Sequence, residues 1–254
     1  MSLIPCKVLT TEKANDRLTF MTVEKPEGLT YLPGQFVRCA LPVKNEPRDE
    51  ADFIARPYSM ASHPSEDHLS FYIAKLPGGD MSPQMYDLQV DDTVWVDDTA
   101  WGMMTDTRLE KDRTLYLMAS GTGLASFLSL IKDDPWSRYK EVIVVHSVRH
   151  AQDLFLTEKF ETAAVGHENR FLFVPVTTRD EKPSKMLGFN QRLPEAIESG
   201  AFEALLERQL NPETSCVMVC GNPEFVKAVK ATLKARGFTA PRRGNLGTLV
   251  SETY

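Results

Sequence analysis

The chain lacks any C-x-x-C pair, any cluster of His, Cys and carboxylates at metal-binding spacing, and any apolar run approaching eighteen residues. The first two absences leave no visible ligand set for zinc or an iron–sulfur cluster. The third leaves no candidate membrane-spanning helix. The four cysteines, Cys6, Cys39, Cys216 and Cys220, read as free thiols in a reducing compartment. The start, Met1-Ser2-Leu3-Ile4-Pro5, has no basic region leading into a long apolar stretch, so a cytoplasmic, soluble protein is expected. Positive charge is short as well. With 29 Lys+Arg against 35 Asp+Glu the net charge is -6, which argues against a general binder of nucleic acid or membrane surfaces, since both repel a net anion. No internal repeat and no low-complexity tract is found.

What is present suits two domains. The chain has 254 residues, 42% of them hydrophobic, enough length and apolar material for two cores of ordinary size. The first hundred residues alternate polar and apolar over 5–11, 17–23, 35–40, 56–61, 69–74 and 93–97. Short strands separated by turns in this way predict an antiparallel barrel or sandwich. The polar stretch 42–55, with Lys44-Asn45-Glu46-Pro47-Arg48-Asp49-Glu50, reads as a solvated loop. After Thr105 the rhythm changes. Apolar strands at 115–119, 142–148, 171–176 and 217–220 alternate with helical patterns at 124–131, 153–165 and 223–236, which predicts a parallel, doubly wound sheet. The polar connection at 104–113 places the boundary so that the domains are 1–105 and 106–254.

Four constellations carry chemistry. Gly121-Thr122-Gly123 follows an apolar strand and opens a helix. Glycines there let the backbone approach a pyrophosphate, and unpaired N–H groups face it. No Lys follows, so this is not the phosphate loop of a nucleotide hydrolase. The same residues would also serve as a tight turn in any α/β protein. Arg149 and Arg179 stand at strand ends, and Arg192 follows a loop with Lys182 and Lys185. Three guanidinium groups near the carboxyl ends of parallel strands suit the 2′-phosphate of NADP(H), although any one of them alone reads as a solvated cation. Arg56-Pro57-Tyr58-Ser59 lies on a strand, so Arg56 and Tyr58 share one face. Arg56 can pair with a phosphate, Tyr58 can lie against an aromatic ring system, and Ser59 can offer a hydroxyl to a ring nitrogen. A generic strand with Tyr and Ser is the alternative. Gly79-Asp80-Met81-Ser82 adds a second glycine turn, with Ser82 in the first turn of a short helix.

Taken in order, Pro33-Gly34-Gln35-Phe36, Arg56-Pro57-Tyr58-Ser59, Gly79 to Ser82, Gly121-Thr122-Gly123, Cys220-Gly221-Asn222-Pro223 and the terminal Glu252-Thr253-Tyr254 resemble the ferredoxin–NADP reductase family, bacterial type, over essentially the whole chain. The resemblance implies an N-terminal six-stranded antiparallel FAD-binding barrel and a C-terminal doubly wound parallel-sheet domain for NADP(H). It implies that Arg56 and Pro57 lie at the FAD pyrophosphate, that Tyr58 packs on one flavin face, and that Ser59 reaches N5. Gly79, Asp80, Met81 and Ser82 would cradle the FAD phosphates. Gly121, Thr122 and Gly123 would sit near the nicotinamide-side pyrophosphate, with Arg149, Arg179 and Arg192 on the 2′-phosphate. Cys220 would lie beside the nicotinamide, Glu252 would help manage the N5 proton, and Tyr254 would cover the other flavin face. One departure is Ser126, where relatives often carry Pro; another is the longer segment between Arg179 and Arg192.

The expected activity is electron transfer between NADPH, two electrons at a time, and ferredoxin or flavodoxin, one at a time, by a monomer. Tyr254, placed where the nicotinamide must stack, would act as a gate, and its position at the chain end makes such motion cheap. Competing readings are an NADPH-dependent flavin or quinone reductase with a small acceptor, an electron-transfer subunit of a larger complex, and a nucleotide sensor without redox chemistry. The subunit reading loses ground because the cysteine cluster of such relatives is missing.

Overall fold

The structure, a computed structural model, describes residues 2–43, 52–180 and 191–254. The expected loop core at 44–50, and Lys182 and Lys185, lie outside the described residues.

The N-terminal half forms six strands: β1 (Leu3–Lys13), β2 (Leu18–Glu24), β3 (Phe36–Pro42), β4 (Phe53–Ser59), β5 (His68–Ala74) and β6 (Thr93–Asp97), with helix α1 (Ser82–Asp87) between the last two. Their spatial order is β4-β3-β6-β1-β2-β5, and every pairing is antiparallel. The two edges approach where Ala61 N–H donates to the Ser70 carbonyl at 2.8 Å, which closes the sheet towards a barrel. Inward residues of alternating strands, among them Val8, Val37, Phe71, Ile73 and Val94, fill the interior. The expected strand over 56–61 is displaced. β4 runs from Phe53 because Val43 and Asp52 continue the β3–β4 ladder at 2.8 Å, and past Ser59 the Met60 N–H still bonds the Gln35 carbonyl in the same register at 3.1 Å.

The C-terminal half is built from β7 (Thr114–Ser120), α2 (Ala125–Lys132), β8 (Glu141–Val148), α3 (Thr157–Ala163), β9 (Phe171–Thr177), α4 (Leu193–Glu198), α5 (Ala201–Leu206), β10 (Ser215–Gly221), α6 (Pro223–Ala235) and β11 (Leu249–Thr253). The five strands are all parallel, in the order β11-β10-β7-β8-β9. That order reverses between β7 and β10, and ligands bind in the crevice at the carboxyl ends of strands at such a switch point. The helix expected to begin at 153 begins at Thr157. Asp153 instead belongs to a tight turn and gives its carboxylate to Arg17 at 3.1 Å and to Asn15 at 3.2 Å, both from the barrel.

One apolar cluster crosses between the halves. Leu18, Phe20 and Tyr72 of the barrel pack with Leu124, Phe127 and Leu156 of the second domain. Helix α2 lies between sheet and barrel, and every residue in it except Lys132 is buried. At roughly 1.5–3 kcal/mol for each fully buried large apolar side chain, this shared core fixes the angle at which the two halves present their facing edges.

Candidate active site

The carboxyl ends of β7 and β10 define the site's centre. β7 runs into a 3₁₀ turn, Gly121–Leu124, that leads directly into α2. Gly121 has φ 53°, left-handed backbone that favours glycine. Gly123 is required by proximity: a Cβ there would lie 2.7 Å from the Cys220 carbonyl, so the turn packs directly on the end of β10. His146 of β8, fully buried, supports the turn from the opposite side, with Nε2 3.0 Å from the Gly121 carbonyl oxygen. Burial lowers its pKa to about 4, against a hydrogen bond to Gly121 that favours the charged form. The ring is therefore neutral, and Nε2–H donates while Nδ1 has no partner among the described residues.

The motif Cys220-Gly221-Asn222-Pro223 divides between structural and site roles. Asn222 caps α6, accepting from Phe225 N–H at 2.9 Å, and Pro223 occupies the first turn. Ser120 Oγ binds Asn222 N–H and its side-chain amide, each at 3.1 Å, and so ties β7 to the start of α6. Cys220 is 2% exposed and touches the Ser126 hydroxyl. Burial pushes its thiol up to about 12, with the Ser126 hydrogen bond opposing. Ser126, a departure from the family pattern, also donates to the Gly123 carbonyl at 3.1 Å.

Cys220 and Glu252 are directly opposed across the β10–β11 pair. Glu252 Oε1 accepts from Met103 N–H at 3.4 Å. Burial raises its pKa above the ordinary carboxylate range, with the Met103 N–H opposing. The segment 101–103 in turn binds the barrel: Phe36 and Trp101 exchange backbone hydrogen bonds at 2.8 and 2.9 Å, and Gln35 Nε2 reaches the Gly102 carbonyl at 3.2 Å. Phe36 pairs with Ser59 in the β3–β4 ladder. A continuous path therefore runs from Ser59 through Phe36 and Gly102 to Glu252 and Cys220.

Tyr254 closes the other side. Its phenol donates to the Ser120 carbonyl at 3.3 Å. Its backbone N–H donates to Gly221 at 3.3 Å. Beyond it opens a cavity of about 1110 Å³ whose wall includes Gly121, Tyr254, Arg149, Arg179, Arg192 and Asn222. The three arginines arrive from the end of β8, the end of β9 and the residue capping α4. None of them has an ion pair within 4 Å among the described residues, whereas Arg38 and Arg138, for example, are paired at 2.7 and 2.8 Å. These three guanidinium groups, without an ion pair among the described residues, line one hollow together with the carboxylates Asp153, Glu195 and Glu224.

On the barrel, Arg56 is exposed and pairs with Asp80 at 3.3 Å, which joins β4 to the turn before α1. Pro57 pairs with Arg38 in the ladder and is exposed. Tyr58 is half-buried, edge-on to Phe71 with centroids 6.2 Å apart, and burial raises its phenol pKa. Gly79 N–H donates to the Leu76 carbonyl at 3.0 Å, and Ser82 Oγ accepts from Leu76 N–H at 3.1 Å. Ser82's acceptor is thus used inside the turn and Met81 is buried at 1% exposure, whereas Pro77, Gly78 and Asp80 are exposed.

These residues suit two nucleotides. A cation, an aromatic ring and a hydroxyl lie along one strand of the barrel, and three arginines line one hollow of the second domain. Sequence reading missed His146, Ser120, Gly102 and the Arg17–Asp153 contact. Only Ser120, adjacent to the glycine turn, carried a local signal.

A flavin- and pyridine-nucleotide-dependent oxidoreductase is the class this arrangement defines. The oxidoreductase FAD-binding domain family matches residues 7–98, and the oxidoreductase NAD-binding domain family matches 117–231. The chain is 32% identical over 257 aligned positions to the ferredoxin–NADP reductase of Pseudomonas aeruginosa, covering 97% of this chain and 95% of that protein. It is 30% identical to the flavodoxin/ferredoxin–NADP reductase of Escherichia coli, covering 87% and 86%. A crystal structure of a ferredoxin NADP+ reductase from Neisseria gonorrhoeae with bound FAD and NADP superposes with a TM-score of 0.88 at 30% identity, covering 100% and 99%. The chain belongs to the ferredoxin–NADP reductase family. No helix among the described residues is long and apolar enough to cross a membrane.

Proposed function

We propose that this protein is an FAD-dependent reductase that passes electrons between NADPH and a ferredoxin or flavodoxin, with domains 1–105 for FAD and 106–254 for NADP(H). The observation that carries the NADPH half is the gathering of Arg149, Arg179 and Arg192 on one cavity whose far end is Gly121 and Tyr254. Arg grips a 2′-phosphate in bidentate fashion, and NADH offers no such group. The names of the relatives favour a protein carrier over a small quinone acceptor. A cytoplasmic monomer is the working state in this reading.

Within that reading, Arg56 and the backbone around Gly79 hold the FAD pyrophosphate, and Tyr58 and Tyr254 cover the two faces of the ring. Bound FAD supplies the exchange between a two-electron donor and a one-electron carrier. Ser59 offers its hydroxyl at the flavin N5. Glu252, whose burial raises its pKa, stands on the same side of the site, where its carboxyl accepts from the Met103 N–H. Cys220, a neutral thiol under Tyr254, shapes the floor where the nicotinamide would stack; positioning of the two rings, more than acid–base chemistry, lowers the barrier. Replacing Arg149, Arg179 or Arg192 by Ala tests the reading. Each change is expected to raise KM for NADPH by roughly tenfold or more, since a hydrogen-bonded charge pair contributes about 1.5–3 kcal/mol. KM for NADH should stay near its starting value, and an equal loss with both nucleotides would count against a 2′-phosphate site.

A further inference from the structure

The two strand ends that carry Arg149 and Arg179 are joined beyond their last paired residues. β8 and β9 pair as far as Val148 and Thr177, and the ladder continues past both ends. Thr178 N–H donates to the Val148 carbonyl and Arg179 N–H to the Arg149 carbonyl, each at 3.0 Å. The next residues, His150 and Asp180, meet through their side chains, with His150 Nδ1 2.9 Å from Asp180 Oδ1. The other carboxylate oxygen, Oδ2, accepts from Ala151 N–H at 2.8 Å. That N–H opens the tight turn Ala151–Asp153, whose Asp153 is held by Arg17 of the barrel at 3.1 Å. One carboxylate therefore stitches together the two loops that bear the arginines. An aspartate next to Arg179 in the chain could have neutralised that guanidinium, yet its one ion pair among the described residues is with His150. The His150 hydrogen bond holds the Asp180 carboxyl below the usual carboxylate range, so the group stays charged.

We propose that Asp180 and His150 are positioning residues that fix the spacing of Arg149 and Arg179, and thereby coenzyme selectivity, without touching the nucleotide. The inference rests on the 2′-phosphate reading of the arginines and deepens it by naming what holds two of them in place. A bidentate grip on a phosphate needs guanidinium groups held at a set spacing. Arginines on untied loops would lose part of the binding energy to ordering those loops, and a tie made before the ligand arrives lowers that cost. Charge alone predicts the opposite sign, since removing an anion from the neighbourhood of a phosphate site favours the phosphate.

The test pairs the calorimetric Kd for NADP+ on FAD-loaded protein with KM for NADPH and NADH in ferricyanide reduction, equal flavin absorbance being verified for each variant. Asp180→Ala is expected to weaken NADP+ and raise KM for NADPH by about fivefold, the equivalent of one hydrogen bond. Its kcat and its KM for NADH should stay near their starting values. His150→Ala should act in the same direction. Adding it to Asp180→Ala should change nothing further, because the two act through one contact. Asp180→Asn removes the charge yet can keep both hydrogen bonds, accepting from Ala151 N–H and donating to His150 Nδ1 in the other imidazole tautomer. It is expected to bind NADP+ at least as tightly as the wild type. Tighter NADP+ binding in Asp180→Ala would mean that the carboxylate only repels the phosphate, and unchanged binding that it does nothing for the site; either overturns the proposal. So does an equal loss with NADH, an Asn variant as weak as the Ala variant, or a further effect of His150→Ala in the Asp180→Ala background. Arg149→Ala, measured alongside, separates the two readings. A loss confined to NADPH there, beside an unchanged Asp180→Ala, sinks the positioning role alone. An equal loss with both nucleotides in Arg149→Ala sinks the 2′-phosphate site and the positioning role with it.

Discussion

At the scale of single residues, the hollow beside Tyr254 is marked by three arginines that no carboxylate pairs among the described residues. Arg149, Arg179 and Arg192 have no ion pair among the described residues, while Arg17, Arg38, Arg113, Arg138, Arg208 and Arg236 are paired. Glu252 is the opposite case, a carboxylate held where its charge is penalised. Its folded pKa lies above the unfolded value, so folding favours the protonated form. That contribution is complete below the ordinary carboxylate range and is lost as pH rises through the raised pKa. Glu252→Gln keeps an acceptor for Met103 N–H and removes the charge. The variant is therefore expected to melt above the wild-type protein at pH 8, with the difference shrinking as the pH falls to 4. Melting curves across that range check this, and a Gln variant less stable at pH 8 than at pH 4, relative to wild type, would contradict it.

At the scale of elements, the decisive contact is that of the glycine turn with the end of β10. A methyl at Gly123 would meet the backbone of Cys220 and Gly221 at 2.7–2.8 Å, and backbone there cannot yield without opening the β7–β10 crevice. Gly123→Ala is expected to destabilise the fold by roughly 1–3 kcal/mol and to weaken NADP+ binding, as read by urea titration and calorimetry together; wild-type values in both would refute the contact. The elements differ in how legible they were. β7, β8 and β9 are near-continuous apolar runs buried on both faces, and a parallel sheet reads directly from such runs. β11 was hidden. Leu249-Val250-Ser251-Glu252-Thr253 is short and half polar, and it is a strand only because β10 lies beside it. Helix α3 starts late because Asp153 is engaged by Arg17, 136 residues away. No local pattern carries that contact, and the same holds for His146 under Gly121. The glycine turn and Arg56-Pro57-Tyr58-Ser59 were visible as motifs, yet what joins them, the path Ser59–Phe36–Gly102–Glu252, depends on four separate segments meeting.

At the scale of the molecule, two sheets of different construction are joined by one apolar core and by the 101–103 bridge. The barrel presents a strand with a cation, an aromatic ring and a hydroxyl, and the parallel sheet presents a crevice lined by Arg149, Arg179 and Arg192. Tyr254, carried by an edge strand, stands between them. The account stands or falls on whether both nucleotides are held there. The most direct measurement is the visible absorption spectrum of the purified protein, with identification of the released flavin and anaerobic titration by NADPH and NADH in turn. A yellow protein that releases FAD and is bleached by NADPH at far lower concentration than by NADH is the predicted result. A colourless protein that added FAD does not reconstitute, or one bleached equally by the two nucleotides, would contradict it.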